Sequence, residues 1–170
     1  MGHKCSYDRV LEVFFKEPIK IHFIKEISKK ISLAHTSVRN HVREIEKNGL
    51  IMKKHAKPFD GFISNRESER FLFEKQIYNL YSLFEVKMEL VLKLAPKAII
   101  LFGSYQKGED IEESDIDLLV ISKVKKEVVL EKYEKKLERK IHITFIGDIA
   151  ELEKNLKDNV KNGWILYGKI

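Results

Sequence analysis

The chain carries a single cysteine, Cys5, in 170 residues. One thiol excludes both an intramolecular disulfide and a cysteine-built zinc cluster. Proline is scarce, with three residues, and no Gly-, Pro- or Ser-rich stretch marks a flexible linker. Internal repeats and low-complexity segments are lacking too. No apolar run approaches the roughly 20 residues that a membrane-crossing helix needs. The opening Met-Gly-His-Lys-Cys-Ser has no apolar stretch of the kind a signal peptide requires, and Met1-Gly2 with Ser6 meets only the loosest acylation pattern. A cytoplasmic protein without membrane contact is the expectation.

What is present is 44% hydrophobic and 34% charged, the composition of a folded globular protein. The length fits one domain or two small ones, and two suit the patterning better. Charge is unevenly placed. Residues 1–66 hold 14 Lys or Arg against 7 Asp or Glu, a net of +7, while residues 67–170 hold 18 against 19, a net of −1. A polyanionic partner is therefore expected at the first segment.

The most informative stretch is Phe102-Gly103-Ser104 through Ser114-Asp115-Ile116-Asp117-Leu118-Leu119-Val120. An apolar run, Ala98 to Phe102, ends in Gly103-Ser104, and ten residues later two aspartates alternate with aliphatic residues. On a strand, side chains at i and i+2 share a face. Asp115 and Asp117 should project together while Ile116 and Leu118 enter the core. Adjacent carboxylates repel unless a cation lies between them, so the pair suits a hard divalent metal, Mg2+ first. A Gly-Ser turn between strand and helix can offer backbone N–H groups and a hydroxyl to a phosphate. Together these parts are what phosphoryl or nucleotidyl transfer requires.

Gly-Ser, ten residues, Asp-x-Asp, with Lys107-Gly108 and Ser114-Asp115-Ile116-Asp117 in place, resembles the minimal nucleotidyltransferases of the DNA polymerase beta superfamily. The resemblance implies that Gly103, Ser104 and Lys107 bind the triphosphate of an NTP, and that Asp115 and Asp117 hold Mg2+ or Mn2+. It implies a hydroxyl acceptor on a protein, a small molecule or a nucleic acid. Many such proteins place a third carboxylate on the strand after the next helix; here the position falls on His142. Imidazole is a poor Mg2+ ligand. Three readings stay open for His142: a general base, the mark of a site that binds without turnover, or a polar residue with no site role. The remaining carboxylates of the loop, Glu109, Asp110, Glu112 and Glu113, are expected to be solvated.

The first 66 residues read as helices with Val10, Leu11, Phe14 and Phe15 inward, then Phe23 to Lys30, then His35 to Lys47 with Val38, Val42 and Ile45 buried. Gly49 ends the third helix. Short extended segments, Leu50–His55 and Phe62–Asn65, follow. The order, together with Ile24-Lys25-Glu26-Ile27, His35-Thr36-Ser37-Val38-Arg39 and Glu46-Lys47-Asn48-Gly49-Leu50-Ile51, resembles a winged helix-turn-helix. That resemblance implies duplex DNA contact through Thr36, Ser37, Arg39, Asn40, Arg43 and Lys47 on the third helix. Lys53, Lys54, His55 and Lys57 would lie on or near the wing. A basic face used for protein contact alone is the alternative.

Residues 67–95 read as one long linking helix, with Phe73, Ile77, Leu80, Phe84, Met88 and Val91 in a stripe. It would join the domains or pair with its counterpart in a homodimer. Pro96 stops it. From 96 to 170 the pattern predicts strands, a charged helix over about 126–140, the strand Ile141–Ile146, a helix over about 149–161 and a last strand at Trp164–Tyr167. The expected class is α+β: winged helix, linking helix, and a mixed-sheet nucleotidyltransferase domain. Two functions compete, a DNA-binding transferase and a transcription regulator or antitoxin-like protein whose transferase domain is a nucleotide sensor or scaffold.

Overall fold

The computed structural model describes residues 5–124, 126, 128–152, 157 and 160–169. The chain divides into two compact units, Met1–Lys75 and Gln76–Ile170.

In the first unit, α1 (Ser6–Lys16) buries Val10, Leu11, Val13, Phe14 and Phe15, the apolar positions of its sequence at helical spacing. It ends at Glu17, just before Pro18, because the residue preceding a proline is driven out of the helical region. Helix α2 (Ile24–Ile31) stops at Ser32, which adopts the left-handed conformation with φ of 50°. Helix α3 (His35–Lys47) buries Val38, Val42 and Ile45. Gly49 follows it with φ of +75°, the left-handed position that only glycine takes without cost. Strands β1 (Ile51–Lys54) and β2 (Gly61–Ser64) form an antiparallel hairpin. His22 bridges to Phe62 of β2 through a reciprocal pair of backbone hydrogen bonds at 2.8 and 2.9 Å.

The second unit is built on a four-stranded mixed sheet in the order β5-β4-β3-β6. Strand β3 (Ala98–Phe102) runs antiparallel to both β4 (Ile116–Ile121) and β6 (Trp164–Gly168), while β5 (Ile141–Ile146) lies parallel to β4. The mixed sheet is the one expected from the alternating pattern. Ile99, Leu101, Ile116, Leu118 and Val120 pack on one face with Leu83, Val86, Leu90 and Leu94. Ile100, Phe102, Leu119 and Ile121 pack on the other with Ile146, Leu152 and Val160. The Gly103–Lys107 turn of helix, α6, leaves β3 directly.

Three expectations need correction. The linking helix is two helices, α4 (Glu69–Ser82) and α5 (Phe84–Leu94), and the boundary between the units falls within α4. The Ser82 hydroxyl donates to the Asn79 carbonyl at 2.7 Å, and Leu83 N–H turns back to Leu80 at 3.3 Å. Local competition of this kind interrupts the helical ladder. The expected inward stripe lies outward instead: Phe73, Ile77, Leu80, Phe84 and Met88 are exposed, and Phe71, Lys75, Asn79, Leu83, Val86, Leu90 and Leu94 are buried. Both faces carry apolar residues, so periodicity alone could not choose between them, and Lys75 and Asn79 disguised the true one. The charged helix begins at Glu131, not near 126; α7 covers Glu131–Leu137. Val128 and Val129 are β-branched and poor helix starters, and Val129 stays exposed. Of the helix expected over 149–161, the structure describes a 3-10 turn at Ile149–Glu151 and helical residues at 157, 160 and 161, with 153–156, 158 and 159 outside the described residues.

His22 makes the first unit sensitive to acid. It is fully buried, donates through Nε2 to the Glu17 carbonyl at 3.0 Å and meets Phe14 edge-on at 5.1 Å. Burial holds its imidazole below the ordinary 6.5, against the pull of the Glu17 carbonyl and carboxylate. The unfolded chain takes up a proton near 6.5 that the folded unit resists, so stability is full above that pH and falls as pH drops toward the folded value. Glu17, where Lys30 and Lys20 outweigh burial, and Glu26, paired with Lys20, are both held below 4.5 and titrate under this window. Urea unfolding should lose up to about 1.4 kcal/mol per pH unit as pH falls below about 6.5. His22→Gln, which keeps a donor for the carbonyl, should flatten that slope.

Candidate functional site

Strand β4 delivers Asp117 from within its length and Asp115 from the residue before its start. The strand alternates as its sequence dictates, so Ile116, Leu118 and Val120 enter the helix-packed core and the aspartates share the opposite parity. The antiparallel register pairs Phe102 with Asp117, which sets Gly103, the next residue, against that carboxylate. A Cβ added at Gly103 would lie 2.6 Å from Asp117 Oδ2, and the backbone there has φ of +79°. Two independent constraints therefore demand glycine. Ser104 is half-buried beside it. The first N–H groups of α6 have no partner inside their own helix and open at the same place.

Burial raises the carboxyl of Asp117 above its ordinary range, nearby His142 pulls it back, and the charge of Asp115 pushes it up again. The three groups thus feel one another. His142 sits opposite Asp117 in the parallel β4–β5 register, one strand over, and is exposed. Among the described residues, no group of three or more His, Cys, Asp or Glu side chains is placed to hold a metal ion. Lys107 ends α6 with its side chain in solvent and its carbonyl taking the Gln76 amide at 2.9 Å. The structure thus brings Gly103, Ser104, Asp115, Asp117 and His142 together, and sets the Lys107 ammonium at the outer end of the turn. An open hollow of about 480 Å³ adjoins Asp115, walled mostly by carboxylates with Lys135, Arg139 and Lys140.

One loop carboxylate is misplaced by the sequence reading. Asp110 is not solvated but 1% exposed. Its Oδ1 accepts from Asn79 Nδ2 at 2.8 Å, and its Oδ2 lies 3.6 Å from the Arg139 guanidinium, itself nearly buried. Asn79 Nδ2 also donates to the Tyr105 carbonyl at 2.8 Å, and the Ser82 hydroxyl lies 2.9 Å from Tyr105 Oη. The α6 turn and the loop that follows are thereby fastened to α4 and to the residues after α7. Inside a run of four acidic residues in five positions, nothing in the sequence distinguishes Asp110, and its partners lie about thirty residues away on either side.

In the first unit, Thr36, Arg39, Asn40, Arg43 and Lys47 are exposed along α3 opposite its buried Val38, Val42 and Ile45, and Ser37 is half-buried. Lys54 and Lys57 are exposed on the hairpin. Lys53 and His55 contact the Asp60 carboxylate, at 3.3 and 2.7 Å. The His55 contact, then that of Lys53, holds the Asp60 carboxyl below its ordinary value.

No helix of the described residues is long and apolar enough to cross a membrane. No curated protein matches the chain. A family model does: the Nucleotidyltransferase domain matches residues 85–165, the stretch that holds β3, α6, both aspartates and His142.

Proposed function

We propose that the protein is a DNA-binding nucleotidyltransferase. The second unit would move a nucleotide from an NTP to a hydroxyl acceptor, and the first would bind duplex DNA as a winged helix-turn-helix. The observation that supports the transferase reading is the closeness of Gly103 to Asp117, whose Oδ2 lies 2.6 Å from where a Cβ on Gly103 would stand.

The donor set fits a divalent cation. Two carboxylates on one parity of β4, one of them pushed toward its acid form, make a charge arrangement that a cation would relieve. Mg2+ binds through one or two carboxylates and takes its other oxygens from phosphates and water, so Asp115 and Asp117 suffice to hold Mg2+ or Mn2+. Bound there, the ion would supply charge stabilisation for the phosphoryl group in flight. The chain's own groups do the rest. Amides at Gly103 and Ser104, with the Ser104 hydroxyl, would hold the triphosphate, and Lys107 would add positive charge at its edge. The acceptor oxygen would attack the α-phosphorus in line as the bond to pyrophosphate breaks. His142, opposite Asp117 in the β4–β5 register, would take the acceptor's proton.

A second reading rests on the same histidine. With imidazole where a third carboxylate would stand, the unit would bind nucleotide without transferring it and serve a regulator as sensor or scaffold. Labelled-nucleotide transfer in Mg2+ or Mn2+, with the protein itself, other proteins and RNA as acceptors, separates the two. Asp115→Asn or Asp117→Asn should lower transfer by roughly 100-fold or more while the fold persists, since each removes several kcal/mol of charge stabilisation. Wild-type binding without any transfer would select the sensor.

The DNA reading rests on the net charge of +7 over residues 1–66 and the exposed polar face of α3. Affinity for duplex DNA should fall steeply with salt, as released counterions require. Arg39→Ala and Arg43→Ala should each cost about 1–3 kcal/mol if the residue contacts a base edge. Fluorescence anisotropy over a salt series measures both. Binding indifferent to salt and to both changes would assign this face to protein contact.

A further inference from the structure

Within the second unit, Ile77, Tyr81, Phe84, Met88 and Leu92 recur at spacings of three and four residues with Leu80 beside them, and each of the six is between 40% and 79% exposed. The spacing continues through the break at Leu83 and is the seam a second helix packs against. At about 200 Å² per large side chain, these six with neighbouring Ile165 leave roughly 700 Å² of apolar surface open. That exceeds what soluble monomers ordinarily expose and approaches the roughly 800 Å² each partner gives to a standard interface.

The relief of the face favours a copy of itself. Phe84 stands between two hollows. One, about 380 Å³, is lined by Ile77, Leu80, Tyr81 and Ile165; the other, about 430 Å³, by Met88, Leu92 and Tyr133. Phe84, 56% exposed and with Lys87 Nζ 4.6 Å from its ring centroid, borders both hollows, so about a two-fold axis the ring of each copy would meet a hollow of the other. Ion pairs edge the second hollow, Glu85 with Lys136 at 2.7 Å and Glu89 with Lys132 at 3.3 Å, giving the polar rim around an apolar centre that interfaces show. We propose that this face joins two copies of the chain in a homodimer, with α5 packed against α5 in antiparallel sense.

Sedimentation equilibrium of the full chain at micromolar concentration should give twice the 20.0 kDa chain mass. Phe84→Glu with Leu92→Glu should give the single-chain mass with an unchanged far-UV spectrum. A pure wild-type monomer would overturn the proposal, even if the face then captured another protein, and so would a folded double variant that stays dimeric. Should that variant misfold, a short bis-maleimide in a Cys5→Ser background decides the matter. Met88→Cys should cross-link into dimers and Val124→Cys, exposed elsewhere, should not; equal yields at the two would overturn the proposal.

Discussion

The antiparallel pairing of β3 with β4 is the constraint on which the candidate site depends. Phe102 pairs with Asp117, and every other pair in the ladder follows from that one. A slip of one residue would reverse all parities of β4. The aspartates would then enter the core formed by Leu90, Leu94, Tyr133 and their neighbours, and Ile116, Leu118 and Val120 would leave it. Burying two unpaired carboxylates costs far more than the ladder could return. The register that buries Ile116, Leu118 and Val120 is thus the register that brings Asp117 to Gly103.

Pairing alone leaves the intervening residues to be fixed. Asn79 and Arg139 do this by gripping Asp110 from two sides, while Asn79 also holds the Tyr105 carbonyl. Both contacts are buried, and the bond from Asn79 to the Asp110 carboxylate is charge-assisted. Tyr105 is itself buried and its hydroxyl is pushed up to about 12 by that burial, so it remains a neutral partner for Ser82. The loop that follows the turn is anchored by these contacts to Asn79 and Arg139.

Much of this was legible in the residues. The alternation Asp115-Ile116-Asp117-Leu118 gave the strand and the parity of the aspartates. Helical spacing at Val38, Val42 and Ile45 gave α3 and its polar face. What stayed hidden depended on distant partners. The acidic run around Asp110 looks uniformly solvated until Arg139 is folded against it. Along α4 and α5, two apolar faces competed, and the buried one was the less obvious because it carries Lys75 and Asn79. At the break near Leu83 the Ser82 hydroxyl competes for the Asn79 carbonyl and also meets the distant Tyr105 Oη.

The central claim is that the Gly103 turn and Asp117 form one nucleotide site. Calorimetric titration of NTP with Mg2+ into wild-type protein and Gly103→Ala tests it most directly. A Cβ at that position meets Asp117 Oδ2 at 2.6 Å and sits on a left-handed backbone. The account predicts binding by the wild type and a loss of roughly tenfold or more in the folded variant, about 1.4 kcal/mol, because the added Cβ must push Asp117 Oδ2 away from the turn. Equal affinity in the two proteins would contradict it.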